Sequence, residues 1–233
     1  MKRLLFSGRH LVLAALGITL VAVALGGLFY GRNLYELWKF EAGIRDEAQR
    51  AAARGAGTYR LAETCAQCHG RDGTGPSQYY PHLAGEPAAY LLSQLDAFAA
   101  GARRNPLMEP MADALSATER RRLSDYYAAL PAPAHSPFPI AADRARGRAL
   151  AMSCAACHGR DFAGGTMSLS GKGAVPVPRL RGQARDYLVR QLRAFRTGGR
   201  VDPTGSMNAA AKPLDDRQIQ VLADYLAAGE QSQ

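Results

Sequence analysis

The sequence predicts an almost entirely α-helical protein, an apolar N-terminal helix followed by two tandem copies of one small helical domain. Three observations predict it. The pentapeptide Cys65-Ala66-Gln67-Cys68-His69 returns as Cys154-Ala155-Ala156-Cys157-His158, and the two copies use every cysteine of the 233-residue chain. The repeat extends well beyond them: Pro81, Leu83 and Gly85 answer to Pro178, Leu180 and Gly182, Tyr90, Gln94 and Phe98 to Tyr187, Gln191 and Phe195, Gly101, Arg103 and Pro106 to Gly198, Arg200 and Pro203, and Leu123, Asp125 and Tyr126 to Leu222, Asp224 and Tyr225. Finally, Val and Ile nowhere alternate as in a strand after residue 31, whereas apolar residues recur at helical spacing.

The first element expected is a membrane anchor over residues 1–31. Lys2, Arg3 and Arg9 precede the uncharged run Leu11 to Tyr30, long enough as a helix to cross a bilayer at ~1.5 Å per residue. Tyr30, Tyr35 and Trp38 fall where an interfacial aromatic belt would lie, and the cationic start places the N-terminus inside. Ala22-Val23-Ala24 resembles a signal cleavage site, but the apolar character continues past it. Residues 32–51 mix charges with alanine as a helical stalk.

The first repeat, residues 52–130, predicts a helix running into the pentapeptide, a glycine-rich loop, a helix over 86–98, a methionine-bearing loop and a closing helix over 116–130. The Pro-rich stretch 131–140 reads as a stiff, extended linker, with His135 solvated in it. The second repeat, 141–233, predicts helices over 184–196 and 215–228. It is longer than the first between its motif histidine and Pro178, where the glycine-rich segment 164–174 reads as an inserted surface loop.

The chemistry sits in the pentapeptides. Two thiols one helical turn apart can add to the two vinyl groups of a porphyrin, while the next residue, histidine, reaches the iron, so C-x-x-C-H is an attachment site for c-type haem. A redox-active thiol pair, half of a zinc site or a disulfide does not require His69 and His158 in both copies. Two covalently bound haem c groups follow, held by Cys65, Cys68, Cys154 and Cys157, with His69 and His158 on one face of each iron. The opposite face needs another ligand. Met108 lies seven residues before Leu115 and Met207 seven before Leu214, so these two are favoured over Met111 and Met167. Thioether sulfur favours ferrous iron and leaves no open position. The carbonyls of Pro81 and Pro178 are candidates to accept the second N–H of each histidine. His82 has Arg179 as its counterpart, which argues against a ligand role.

In these motifs the chain resembles the cytochrome c4 family over about residues 52–229: two C-A-x-C-H-G segments, P-x-L-x-G, Y-L-x-x-Q-L-x-x-F, G-x-R-x-[ND]-P and a Met loop before a final helix. The resemblance implies two class I cytochrome c domains related by pseudo-twofold symmetry, haem propionates facing across their interface, and electrons passing between the irons. With the anchor, it implies a single-pass protein of a bacterial inner membrane, N-terminus cytoplasmic and haem domains in the periplasm.

A net charge of +9, with Arg120-Arg121-Arg122 and many arginines in the second repeat, suits acidic redox partners or anionic lipid; nucleic acid is excluded by compartment. The leading reading is a tethered electron carrier from a quinol-oxidising bc complex to a haem-copper terminal oxidase. A fixed subunit of an oxidase or a periplasmic dehydrogenase is the alternative. A dihaem peroxidase is disfavoured, because it needs one haem able to open.

Overall fold

The computed structural model describes residues 8–53, 56–137, 143–169, 171 and 173–229; Lys2, Arg3 and the linker residues 138–140 lie outside them. The chain divides into two units, Met1–Arg54 and Gly55–Gln233.

The described part of the first unit is one uninterrupted helix, α1 (Gly8–Ala53), 46 residues long. Among the described residues no helix is long and apolar enough to cross a membrane. This overturns the expected transmembrane helix over Leu11 to Tyr30, and the single-pass inner-membrane placement falls with it. The apolar run is not a helix of its own. The same helix continues without a break through Glu36, Lys39, Glu41 and Arg45. Exposed ion pairs run along that part, Lys39 to Glu36 at 3.8 Å and Arg45 to Glu41 at 3.4 Å, each of the kind that stabilises an isolated helix by about 0.2–0.5 kcal/mol.

The second unit holds both repeats. The first comprises α2 (Ala56–His69), α3 (Ala88–Ala99), α4 (Met108–Asp113) and α5 (Ala117–Ala128). The second comprises α6 (Arg144–Ala151), α7 (Ala155–His158), α8 (Arg185–Thr197), α9 (Ser206–Ala211) and α10 (Asp216–Ala228). Local sequence sets several of the ends. Ser116 and Glu119 form a reciprocal capping box at the start of α5, as Asp215 and Gln218 do for α10, each satisfying two otherwise orphaned amides. Gly198 stops α8 with φ 78°, a conformation that costs glycine nothing. Asp143 caps α6 through the amide of Arg146.

Each repeat has its own core. In the first, Leu91 of α3 and Leu123, Tyr126 and Tyr127 of α5 close on Ala62 of α2, with Cys65 packed beside them. In the second, Leu188 and Val189 of α8 meet Ile219, Leu222 and Leu226 of α10, with Cys154 alongside. Burying each large aliphatic side chain contributes about 1.5–3 kcal/mol. The second core also depends on a glycine: a Cβ at Gly147 would stand 2.3 Å from Cβ of Tyr225, so α6 crosses α10 at a distance no side chain permits. Gly147→Ala should therefore destabilise the second repeat by about 1–3 kcal/mol or more, read as a lowered denaturation midpoint.

One element departs from the all-helical expectation. Where an inserted loop was expected, β1 (Gly165–Leu169) and β2 (Gly173–Val177) pair antiparallel, Thr166 opposite Pro176 and Met167 opposite Val175. Glycines on both flanks hide so short a pattern from periodicity. The turn uses them, since Gly171 and Gly173 both have positive φ. Met167 is thus a strand residue.

The proline-rich segment packs rather than dangles. Ala132 lies over Gly85, where a Cβ would come within 2.2 Å of its own, and the Pro133 carbonyl lies over Gly182, where it would come within 2.5 Å. The P-x-L-x-G glycines of both repeats thereby admit the connection between them. His135 is exposed, as expected.

Candidate haem sites

In the first repeat α2 ends at His69, and Gly70 leaves it with φ 75°. In the second, α6 stops at Ala151 and the motif occupies the separate short helix α7. Both turns hold the cysteines one turn apart, and all four are free thiols rather than disulfides. Both histidines are buried. His69 Nδ1 lies 3.0 Å from the carbonyl of Pro81 and His158 Nδ1 lies 2.9 Å from that of Pro178. A carbonyl only accepts, so Nδ1 carries the hydrogen and Nε2 keeps its lone pair for a metal. Burial lowers the pKa of both rings, an effect the proline carbonyls partly oppose, which favours the neutral imidazole a ligand must be. Two free thiols beside such a nitrogen, in both copies, fit haem c.

Met108 opens α4 and Met207 is the second residue of α9. Their backbones are held alike. The Met108 amide donates to Oδ1 of Asn105 at 3.0 Å, and the Met207 amide donates to Oδ2 of Asp202 at 3.3 Å. Asn105 and Asp202 occupy the same place in G-x-R-x-[ND]-P, and the sequence reading assigned them no task. Their matched positions were the available signal. Met111 is 40% exposed.

The two repeats meet at a polar seam. Gln183 reaches across to His82, accepting from its amide at 2.7 Å and donating to its carbonyl at 2.9 Å. Glu86, at the position in the first repeat equivalent to Gln183, accepts from the Arg179 amide at 2.9 Å and from Nε2 of Gln183 at 3.2 Å. These exchanges are reciprocal in the repeat, so His82 and Arg179 are seam residues held through their backbones. Burial drives the His82 pKa down to about 4.

Burial pushes the Glu86 carboxyl up to about 8, against the pull of the Arg179 amide, Gln183 and the Arg179 charge. The folded group therefore keeps its proton between about 4.5 and 8, where the unfolded one has lost it. The resulting stability is complete below about 4.5 and is lost as pH rises through about 8. Glu86→Gln, which copies the residue at 183, should flatten this dependence and stabilise the protein above pH 8 by on the order of a few kcal/mol, at ~1.4 kcal/mol per pKa unit. Denaturant midpoints between pH 5 and 9 check it.

A duplicated helical domain with an attachment motif in each copy defines an electron-transferring c-type cytochrome that carries two covalently bound haem c groups. Residues 144–230 match the family profile described as cytochrome c, and residues 50–126 match that of cytochrome C oxidase, cbb3-type, subunit III. The chain is 39% identical over 183 residues to a thiosulfate dehydrogenase electron acceptor of Thiomonas intermedia (strain K12), covering 72% of this chain and 79% of that protein. It is 34% identical over 181 residues to a cytochrome c4 of Thiocapsa roseopersicina, covering 73% and 90%. The crystal structure of reduced recombinant cytochrome c4 from Pseudomonas stutzeri superposes with a TM-score of 0.64 at 27% identity, covering 75% of this chain and 98% of that one. The chain belongs to the cytochrome c4 family, and it is an electron-transfer protein rather than an enzyme.

Proposed function

We propose that this cytochrome is the electron acceptor of a dehydrogenase that oxidises reduced sulfur compounds of the thiosulfate class. The observation that carries this reading is the 39% identity to a protein named for that role, against 34% to a cytochrome c4. Haem c supplies a one-electron ferric/ferrous couple. The chain's own residues attach and tune it in two domains, 52–130 and 141–233, joined by 131–140. Cys65, Cys68, Cys154 and Cys157 would hold the groups through their sulfurs, His69 and His158 would each offer the iron a ring nitrogen, and Met108 and Met207 would each offer it a thioether sulfur. Pro81 and Pro178 orient the two imidazoles, and Asn105 and Asp202 hold the methionine backbones. With both a histidine and a methionine engaged in each repeat, the group would supply electron transfer and leave no position for substrate.

Transfer onward to a haem-copper oxidase, or delivery from a quinol-oxidising complex, is the second reading, favoured by the match of residues 50–126 to an oxidase subunit. Stopped-flow reduction of the oxidised dihaem protein separates the two. Thiosulfate with a thiosulfate dehydrogenase should reduce both haems, and rapid reduction by a quinol-oxidising complex alone would overturn the assignment.

A further inference from the structure

Helix α1 presents an apolar stripe at coiled-coil spacing. Leu13, Leu16, Leu20, Val23, Gly27, Tyr30, Leu34 and Leu37 follow one another by alternate steps of three and four residues. That 3.5-residue period keeps one face of a helix turned toward a second helix along its length. The seven side chains of the stripe, Gly27 apart, are between 56% and 69% exposed. Val12, Trp38 and Phe40 flank the stripe and are exposed as well, whereas Ile18, Val21 and Tyr35 lie outside it. The ion pair of Lys39 with Glu36 stands on the far side of the helix. An exposed apolar row of this length calls for a cover.

The stripe fits a second copy of itself. Turned end for end, position 13 meets 37, 16 meets 34, 20 meets 30 and 23 meets 27, so that leucine falls on leucine twice, Leu20 on Tyr30 and Val23 on Gly27. The next positions of the same series are an arginine at 9 and Glu41. Antiparallel pairing sets these two opposite one another at both ends, whereas parallel pairing in register sets Glu41 against Glu41 and arginine against arginine. Charge therefore decides the direction. Glu41 holds Arg45 of its own helix at 3.4 Å through Oε2, which leaves Oε1 for the partner. Burying a large apolar side chain removes roughly 60–120 Å² from water, so the stripe with its three flanking residues supplies on the order of 600–1,200 Å² per copy. A standard interface takes about 800 Å² from each partner.

We propose that α1 joins two copies of this chain as an antiparallel pair, the Leu13-to-Leu37 stripe of each packed on that of the other. Such a pair is closed, because the same patch serves both partners. It brings twice the haem of one chain into a single assembly. The proposal is independent of which protein reduces the haems.

Sedimentation and cysteine cross-linking of the full-length holoprotein test it. The wild-type mass should be twice that of one 25.0 kDa chain with its haems. Leu16→Lys combined with Leu34→Lys should raise the dimer dissociation constant by about 100-fold or more, with two haems retained. Tyr35→Lys, outside the stripe, should leave it unchanged. The native thiols are taken up by haem, so an added cysteine reports on α1 alone. Leu13→Cys and Leu37→Cys should each fail to link to themselves under mild oxidation, since equal positions of an antiparallel pair lie ~36 Å apart here, and the two variants mixed should link to each other. Self-linking of either variant would assign a parallel pair and overturn the proposal. A wild-type monomer, whether free or bound to lipid vesicles, would give the stripe another cover and overturn it equally.

Discussion

Met207→Ala should remove half of the red charge-transfer absorption of the ferric protein and lower one of its two midpoint potentials. Axial ligand identity sets haem potentials over a range of about 0.8 V, so the loss of one thioether should lower that midpoint by on the order of 0.1 V or more. Met108→Ala should do the same at the other haem. Met111→Ala should do neither, because Met111 is 40% exposed and Met108 is the methionine whose amide is tied to Asn105, as Met207 is tied to Asp202. Absorption and potentiometry on the three variants decide the assignment. If Met111→Ala removes the band and Met108→Ala leaves it, the matching of the two loops is wrong.

Cys65→Ala combined with Cys68→Ala should leave one haem per chain and an unfolded first repeat. Domains of this length bury too small a fraction of their surface to be stable on side chains alone, and Cys65 packs into the core built by Leu91, Leu123, Tyr126 and Tyr127. The second repeat has a core of its own around Ile219 and Leu222 and should keep its haem. Pyridine haemochrome stoichiometry and limited proteolysis measure both consequences. A variant that retains two haems after acid-acetone extraction, or that resists proteolysis between residues 56 and 130, contradicts the role given to these thiols.

The parts of this protein that were legible in its sequence are those fixed by short-range chemistry. The attachment motif needs two thiols and an imidazole at one spacing, so Cys65 to His69 and Cys154 to His158 could be read directly. Duplication supplied a second witness for each position, which is how Met108 and Met207 were singled out. The closing helices were expected within a few residues of α5 and α10, since Ser116 with Glu119 and Asp215 with Gln218 mark their starts locally. What stayed hidden was long-range. The Gln183 contact to His82 joins residues 101 apart, and no periodicity encodes which seam faces which. Arg103 and Arg200 were visible as repeated residues, but their bonds across the seam, to Gln191 and Gln94, exist only once the two repeats meet. The N-terminal error has a different source. Hydropathy over Leu11 to Tyr30 is a property of that run alone, whereas the helix continues to Ala53 through charged residues.

Carbon monoxide added to the fully reduced dihaem protein tests most directly the claim that both irons are closed and serve electron transfer alone. The account predicts a Soret spectrum unchanged by the gas at neutral pH, with both haems still reducible and reoxidisable. A carbon monoxide adduct at either haem of the wild-type protein would contradict it, because an iron that binds an external ligand lacks the methionine sulfur assigned to it here.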